Sequence, residues 1–305
     1  MVPDQLKRTR QVFVETEGLP SDNNHDPSNI IFAEGKYHLW VTQHRNDKPF
    51  EHFYDCKIVH TTSADGIRWS PAENALLPAA DGFDAGGVLT ANVMRMDDKY
   101  YMIYTGVDKD YGTKNQFRYI GLAAAISPNG PFERVMKTPL FGPSGSGWDF
   151  DSADDVTILK VGDKYRLYYK GSPKGCTSDQ TLIGMAQSDL LTGPYTRYEG
   201  NPLIKGHAFA IWPYRNGFLY LSGLKDTDEG LIYGEDWDDP RGTQSLYFSE
   251  DGISFTAVCP CKNRAAGIYM GDGQDINTCW GVVVKTHDRH LKRYIARFNF
   301  VAGDK

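Results

Sequence analysis

Three features are absent from this sequence, and each absence removes a class of protein. No apolar run approaches the roughly 18–20 residues that a membrane-spanning helix needs. Cations are not in excess, because 33 Lys and Arg residues stand against 39 Asp and Glu residues, giving a net charge of −6. This balance argues against binding to nucleic acid or an anionic membrane and favours a small or neutral partner. No Pro/Ser-rich linker divides the chain, which predicts a single domain over residues 1–305.

Cysteine is scarce, and its spacing fits no common scaffold. The five cysteines are Cys56, Cys176, Cys259, Cys261 and Cys279. None forms a C-x-x-C pair, and Cys259 and Cys261 are too close in sequence for an ordinary structural disulfide. We expect free thiols in a reducing compartment, with a zinc or redox role as the alternative. The first residues lack the basic and apolar parts of a signal peptide, so we expect a cytoplasmic or periplasmic location.

Cofactor motifs are also missing. The sequence contains no P-loop, no dinucleotide-binding glycine fingerprint and no metalloprotease helix motif, so we expect no cofactor. Acidic stretches at 226–229 and 235–239 leave a calcium site open as an alternative, because hard cations prefer clustered carboxylates.

The sequence does contain a repeat. Four times, a short apolar run reaches a polar turn and returns as an aromatic run, at 34–40, 97–104, 162–169 and 216–221. Gly and Asp tolerate the positive φ of tight hairpin turns, whereas Tyr, Trp and Ile suit a pleated, half-buried surface. The spacing of roughly fifty to seventy residues is that of a four-stranded propeller blade. The sequence therefore predicts an all-β fold, a five-bladed β-propeller.

The innermost strand of each blade lines the central channel of a propeller, so residues at its start face the axis. Five segments are candidates for these strands, and most of them open with polar residues and continue with apolar ones. They lie at 25–31, 89–94, 154–159, 207–213 and 275–283.

Ionisable residues open three of these segments. Asp26 lies in the first, Asp154 and Asp155 open the third, and His207 opens the fourth. The blade geometry would bring them into one funnel, where one carboxylate can take a proton from water while another group protonates a leaving oxygen. Histidine can supply that proton because its pKa lies near neutrality. A further carboxylate can bind hydroxyls and tune the pKa of its neighbours. This arrangement is typical of glycosidic cleavage.

Five other residues are candidates for binding a sugar. Thr90 and Asn92 could bond its hydroxyls or satisfy strand ends, and Gln43 could reach the pocket or lie on a surface loop. Trp148, in a Gly-rich loop before the Asp pair, is the candidate aromatic platform, although most tryptophans are core residues. Lys170 ends a strand and could meet a hydroxyl-rich ligand or be solvated.

Several motifs together resemble a known family. They are His25-Asp26-Pro27, 87–92, Asp154-Asp155 followed by 168–171, His207 ahead of 211–213, and Trp280-Gly281 followed by Arg297-Phe298. In order and spacing they resemble glycoside hydrolase family 117 over nearly the whole chain. The resemblance implies a five-bladed propeller and an exo-acting, inverting hydrolase. Its expected reaction is release of 3,6-anhydro-L-galactose from the non-reducing end of neoagaro-oligosaccharides.

The resemblance also implies roles for individual residues. Asp26 would be the general base, His207 the general acid, and Asp155 the carboxylate that tunes pKa values and binds the sugar. Asp154 is the second candidate for the role given to Asp155. The family carries Glu after the acid histidine, whereas this chain has Ala208. Two alternatives therefore stay open: a catalytically impaired sugar-binding propeller, and an arabinofuranosidase or xylosidase of the family 43 type. The family's N-terminal helical extension, which swaps between subunits, is absent or very short here, so we do not expect dimerisation by that route, and the oligomeric state stays open.

Overall fold

The computed structural model describes residues 2–20, 24–44, 55–176, 180–222, 245–261, 267–286 and 293–303. Within these residues, antiparallel strands form five sheets of four or five strands each. The predicted five-bladed β-propeller is confirmed. The acidic stretches at 226–229 and 235–239 lie outside the described residues, and the assignment of residues 1–305 to one domain stays a prediction.

Each sheet is one blade, and the strands are numbered along the chain. Strand β1 (Thr9–Val14) precedes blade 1 and belongs to blade 5. Blade 1 contains β2 (Asn24–Pro27), β3 (Ile31–Ala33), β4 (Lys36–His44), β5 (Cys56–Ser63) and β6 (Glu73–Leu76). Blade 2 contains β7 (Gly87–Met96), β8 (Lys99–Val107), β9 (Tyr119–Ala125) and β10 (Glu133–Arg134). Blade 3 contains β11 (Ser152–Val161), β12 (Lys164–Ser172), β13 (Leu182–Ser188), β14 (Thr196–Arg197) and β15 (Ile204–Lys205).

Blade 4 contains β16 (Phe209–Tyr214), β17 (Gly217–Ser222), β18 (Ser245–Ser249) and β19 (Thr256–Pro260). Blade 5 contains β20 (Gly267–Tyr269), β21 (Trp280–Thr286) and β22 (Arg293–Ala302), with β1 as its outer strand. Short 3₁₀ helices lie at Asp4–Arg8, Gly147–Asp149 and Ile276–Thr278. None of the helices in the described parts of the chain is long and apolar enough to cross a membrane.

The four predicted hairpins are confirmed, and each has a two-residue turn. They join β3 to β4, β7 to β8, β11 to β12 and β16 to β17. The first turn residue has a positive φ in every case: 51° at Glu34, 53° at Asp97, 60° at Gly162 and 52° at Arg215. Turns of this hand match the right-handed twist of the paired strands.

The aromatic runs of the repeat form the second strand of blades 1 to 4, which is buried on both faces. Trp40, Tyr104, Tyr169 and Tyr220 each expose 1% or less of their surface. Apolar clusters lie between blades 1 and 2, 2 and 3, 3 and 4, 4 and 5, and 5 and 1. Burying one large apolar side chain stabilises the fold by about 1.5–3 kcal/mol, so the interfaces between blades hold the ring together.

The prediction for the inner strand of blade 5 was wrong. The inner strand is β20, whereas most of the predicted segment 275–283 lies in a 3₁₀ helix and in β21, the second strand. Strand β20 packs tightly against blade 1: the N–H of Ile30 donates to the carbonyl of Ile268 at 3.0 Å. A Cβ atom at Gly267 would lie 1.8 Å from the carbonyl oxygen of Ser28. Strand β20 is only three residues long, so its sequence shows no clear alternation of polar and apolar residues. The longer apolar run of β21 was therefore predicted to be the inner strand instead.

The ring is closed by strands from distant parts of the chain. Strand β1 pairs antiparallel with β22, with Thr9 opposite Ala302 and Val14 opposite Arg297. Blade 5 therefore takes its outer strand from the N-terminal part of the sequence and its other three strands from the C-terminal part.

Candidate active site

The inner strands of blades 1, 2 and 3 share one irregularity. Their pairing shifts register after His25 in β2, after Leu89 in β7 and after Asp154 in β11. The residue that follows each shift has a positive φ: 46° at Asp26, 48° at Thr90 and 48° at Asp155. Such a backbone is uncommon for residues other than glycine, and strain of this kind concentrates at functional sites. The repeated bulge gives these three side chains equivalent places around the centre of the ring.

A small cavity lies where these bulges meet. It is lined by Asp26, Pro27, Thr90, Ala91, Asn92, Asp155, Ala208 and Phe209. The structure thus brings together four of the residues singled out from the sequence, and it adds an aromatic ring that the sequence analysis did not select.

Asp26 is the most exposed carboxylate of the cavity, with 39% of its side chain accessible. Its Oδ2 atom lies 2.5 Å from Nδ1 of the buried His25. Burial acts to raise the pKa of Asp26, but the charge and hydrogen bond of His25 outweigh it and, with Lys170, hold the pKa below its usual value. Asp26 is therefore ionised at neutral pH and can accept a proton.

Asp154 lies beneath the cavity, with 1% of its surface exposed. It forms ion pairs with Arg118 and with Lys170, the latter at 3.0 Å, and accepts hydrogen bonds from Thr105 and the N–H of Asp155 at 2.8 Å each. Burial alone would raise the pKa of Asp154, but the two cations hold it well below its usual value. Because protein groups surround its carboxylate, Asp154 is placed to position Asp155 rather than to contact a ligand.

Asp155 has the opposite electrostatic surroundings to Asp26. Burial is the main cause that raises the pKa of Asp155 to about 7, and the nearby charges of Asp154 and Asp26 add to it. Lys170 opposes the shift, since its Nζ atom lies 2.5 Å from the carboxylate. Two carboxyl groups on one cavity therefore differ in protonation near neutral pH, which is how proteins separate acid and base roles.

The raised pKa of Asp155 predicts a pH-dependent stability. The group ionises near pH 7 in the folded chain but near its ordinary value of 3.8 when unfolded, so the folded state binds more protons between these values. The free energy of unfolding contributed by Asp155 therefore falls as the pH rises from about 4 to about 7. Asp155→Asn removes this dependence, so the variant should gain stability relative to the wild type across that interval. Urea unfolding at several pH values measures the difference, and a constant difference would contradict the assignment.

Lys170 is buried, and the structure does not support the alternative of a solvated lysine. Only 4% of its side chain is exposed. Burial alone would lower the pKa of Lys170, but the carboxylates of Asp154 and Asp155 raise it above its usual value. By pairing with both Asp154 and Asp155, Lys170 offsets part of the free-energy cost of burying their charges.

His207 is not among the residues that line the cavity, although it directly precedes the lining residues Ala208 and Phe209 in the chain. Its Nδ1 atom is 3.1 Å from the hydroxyl of Thr181, and that hydroxyl donates its proton to the carbonyl of Gly206 at 2.7 Å. Since Thr181 has one proton to donate, Nδ1 of His207 must be the donor toward it. This contact fixes the ring's orientation.

Gln43 and Trp148 do not line the cavity. Nε2 of Gln43 donates to Oδ1 of Asn24 at 3.2 Å, between neighbouring strands of blade 1. Trp148 packs within blade 3 against two glycines: a Cβ atom would lie 2.3 Å from its ring at Gly171 and 2.4 Å from it at Gly184. Trp148 is thus half-buried and packs against the apolar cluster between blades 2 and 3.

Thr90 and Asn92 line the cavity and also connect strands. The hydroxyl of Thr90 donates to Thr105 at 2.6 Å. Nδ2 of Asn92 donates to the carbonyl of Val156 at 2.6 Å, and its Oδ1 accepts from the N–H of Asn29 at 2.7 Å. Thr90 and Asn92 therefore satisfy strand ends while facing the cavity, and their binding of a sugar stays a prediction.

Sequence reasoning missed two residues of the site. Arg118 pairs with Asp154 and donates to the hydroxyl of Tyr111 at 2.8 Å, but no local motif marks it as different from a surface arginine. Phe209 carried a usable signal, because it follows His207 and Ala208 at the start of a predicted inner strand. Phe209 stacks on Tyr220 with ring centroids 5.9 Å apart.

Comparisons with known proteins agree with the prediction of a glycoside hydrolase. Residues 20–146 match a family model described as the glycosyl hydrolases family 32 N-terminal domain. A probable sucrose-6-phosphate hydrolase from Vibrio cholerae serotype O1 is 33% identical over 232 residues. The alignment covers 75% of this chain but 36% of the relative, so the chain spans about a third of the relative's length.

Solved structures share the fold over almost the whole chain. One is a family 117 glycoside hydrolase from the marine bacterium Zobellia galactanivorans, with a TM-score of 0.78 and 21% identity over 99% of this chain and 94% of the other. Another is an exo-β-1,3-galactanase from Phanerochaete chrysosporium, with a TM-score of 0.61 and 15% identity over 97% of this chain and 64% of the other. At these identities the likeness establishes the five-bladed fold.

Proposed function

We propose that this protein is a glycoside hydrolase that cleaves a terminal bond of an oligosaccharide with inversion. The observation that carries the proposal is the pair Asp26 and Asp155, which line one cavity on equivalent bulges and have pKa values displaced in opposite directions. Hydrolysis with inversion needs one group that takes a proton from water and another that gives a proton to the leaving oxygen.

Each residue has a distinct part in this mechanism. Asp26, ionised and exposed, takes the proton from the attacking water. The family resemblance assigns the proton donor to His207. Asp155, whose pKa is raised to about 7, is the alternative donor and otherwise bonds a sugar hydroxyl and adjusts the charge of the cavity. Phe209 offers an apolar face to the sugar ring.

Our first candidate substrate is a neoagaro-oligosaccharide, from which the enzyme would release 3,6-anhydro-L-galactose. It is supported by the order of the motifs and by the shared fold with a family 117 glycoside hydrolase. Ala208 lies on the cavity wall where the family has Glu, so this chain presents a methyl group there in place of a carboxylate.

A second candidate is a fructoside such as sucrose 6-phosphate. The match of residues 20–146 to family 32 and the 33% identity to a probable sucrose-6-phosphate hydrolase favour it specifically. A propeller that binds sugar without cleaving it is the third possibility raised by Ala208.

A substrate panel tests these candidates directly. The purified chain and an Ala208→Glu variant are incubated with neoagarobiose, neoagaro-oligosaccharides, sucrose, sucrose 6-phosphate, and aryl arabinofuranosides and xylosides, and the products are separated by chromatography. We expect release of 3,6-anhydro-L-galactose by the wild type, with a faster rate in Ala208→Glu if the missing carboxylate limits turnover. Ala208→Ser, which adds no carboxylate, is the matched control.

The outcome of the panel distinguishes between the candidate functions. Cleavage of sucrose 6-phosphate alone would replace the first substrate by the second. Activity only in Ala208→Glu would identify a binding propeller whose catalytic carboxylate has been lost. Cleavage of none of the sugars by either protein would overturn the proposed hydrolase.

A further inference from the structure

A second cluster of reactive side chains lies in blade 1, behind Asp26. His25 in β2, His44 at the end of β4 and Cys56 at the start of β5 each place one nitrogen or sulfur atom within 4.8 Å of the others. All three residues are buried, with exposed fractions of 3%, 8% and 0%. The proposed hydrolysis assigns no step to His44 or Cys56.

We propose that His25, His44 and Cys56 form a binding site for a zinc ion. Imidazole nitrogen and thiolate sulfur are the ligands that Zn²⁺ prefers, and three such ligands in a tetrahedral site leave the fourth position to another donor. The inference goes beyond the proposed function, because it holds whichever sugar the cavity accepts.

The distances between the ligand atoms suit this ion. Zn–S bonds of about 2.3 Å and Zn–N bonds of about 2.0–2.1 Å, meeting at a tetrahedral angle, place sulfur and nitrogen about 3.5 Å apart. The Sγ atom of Cys56 lies 3.4 Å from Nδ1 of His44 and 3.9 Å from Nε2 of His25. Binding requires small shifts of side chains and releases the thiol proton of Cys56.

The strands hold the three ligands in place. His44 and Cys56 face each other directly in the pairing of β4 with β5. His25 lies on β2, the neighbour of β4 on its other side, and its ring centroid is 4.7 Å from that of His44. Ligands fixed on paired strands are more precisely placed than ligands on loops.

The second nitrogen of His25 supplies an independent indication of a metal. A histidine that binds a metal through one ring nitrogen characteristically donates the other N–H to a carboxylate. His25 presents Nε2 to Cys56, while its Nδ1 lies 2.5 Å from Oδ2 of Asp26. The bound ion would therefore orient the ring that contacts the proposed general base, and His25 would act as a positioning residue for catalysis.

Cobalt(II) is a spectroscopic probe for such a site. The full chain is freed of metal with a chelator, kept reduced with a phosphine and titrated with Co²⁺ in the absence of any sugar. We expect about one Co²⁺ per chain, a near-ultraviolet thiolate-to-cobalt charge-transfer band, and visible bands of tetrahedral cobalt that Zn²⁺ bleaches by displacement. Because the assay contains no substrate, its result is independent of the proposed hydrolysis.

Variants assign the signal to the cluster. Cys56→Ser should abolish the charge-transfer band, and His44→Gln should weaken Co²⁺ binding at least tenfold. Cys279→Ser removes another buried thiol in blade 5 and should leave the spectrum unchanged. If Cys56→Ser fails to fold, X-ray absorption of cobalt in the wild type decides, with one sulfur and two imidazole nitrogens expected. A wild type without the cobalt spectrum, or an unchanged band in Cys56→Ser, would overturn the proposal.

Discussion

Asp26→Asn should lower kcat/KM by about 10³-fold, within the 10²–10⁴-fold that a general base contributes. The amide keeps the size of the side chain and can still accept a hydrogen bond from His25, but it cannot take a proton from water. The folded structure should persist, because the Asp26 side chain is 39% exposed and the amide matches it in size. Initial rates on the glycoside that the panel identifies, with circular dichroism as a check of folding, measure the effect.

The matched control for this variant is Asp189→Asn. Asp189 is 76% exposed and pairs with the surface residue Lys164, so its variant should retain full activity. An Asp26→Asn protein that kept more than a tenth of the wild-type rate would contradict the role of Asp26 as general base.

The same assay separates the two groups that could supply the proton. Loss of the proton donor slows substrates with poor leaving groups far more than aryl glycosides, whose leaving oxygen needs little protonation. We expect this pattern from His207→Asn. Its appearance in Asp155→Asn instead would transfer the donor's role to Asp155, whose pKa of about 7 suits it.

Lys170→Met should lower the free energy of unfolding by about 3–5 kcal/mol at pH values above 7, since breaking a buried ion pair leaves uncompensated charge in the interior. Lys170 contacts both Asp154 and Asp155, at 3.0 and 2.5 Å. The deficit should shrink as the pH falls towards about 7, because the pKa of Asp155 rises further without Lys170 and the carboxyl group of the variant becomes neutral over that interval. Urea unfolding followed by tryptophan fluorescence measures both effects.

Lys164→Met provides the comparison for Lys170. Lys164 is 51% exposed and its partner Asp189 is 76% exposed. A surface pair of this kind contributes about 0–1 kcal/mol, so the control should unfold close to the wild type. Equal losses in the two variants would show that the buried network does not depend on Lys170.

The sequence predicted the features that local chemistry determines. The hairpins were predictable because Gly and Asp turns separate apolar from aromatic runs, and Asp26 and Asp155 were identified because polar residues open inner strands. Strand β20 was not predictable, since three residues carry no period and its place depends on contact with Ser28. The ion pair of Arg118 with Asp154 was not predictable either, because the two residues lie 36 positions apart and no sequence motif links them.

Trp148 illustrates a different limit. Its position before the Asp pair suggested a platform for sugar, but proximity in sequence did not place its ring in the cavity. The glycines at 171 and 184 leave room for that ring inside blade 3, and their relation to Trp148 is visible only after the strands pair. The aromatic residue of the cavity is Phe209, from the next blade.

The pairing of β1 with β22 dictates an order of folding. Blades 1 to 4 each come from one continuous stretch, so they can form successively as the chain leaves the ribosome. Strand β1 is synthesised first but receives its partner last, after about 290 further residues, and long-range pairing of this kind is slow. Until then β22 has no outer neighbour, and an uncovered edge strand is a template for pairing with another chain. The nascent protein is therefore most exposed to misassembly between copies in the interval just before its ring closes.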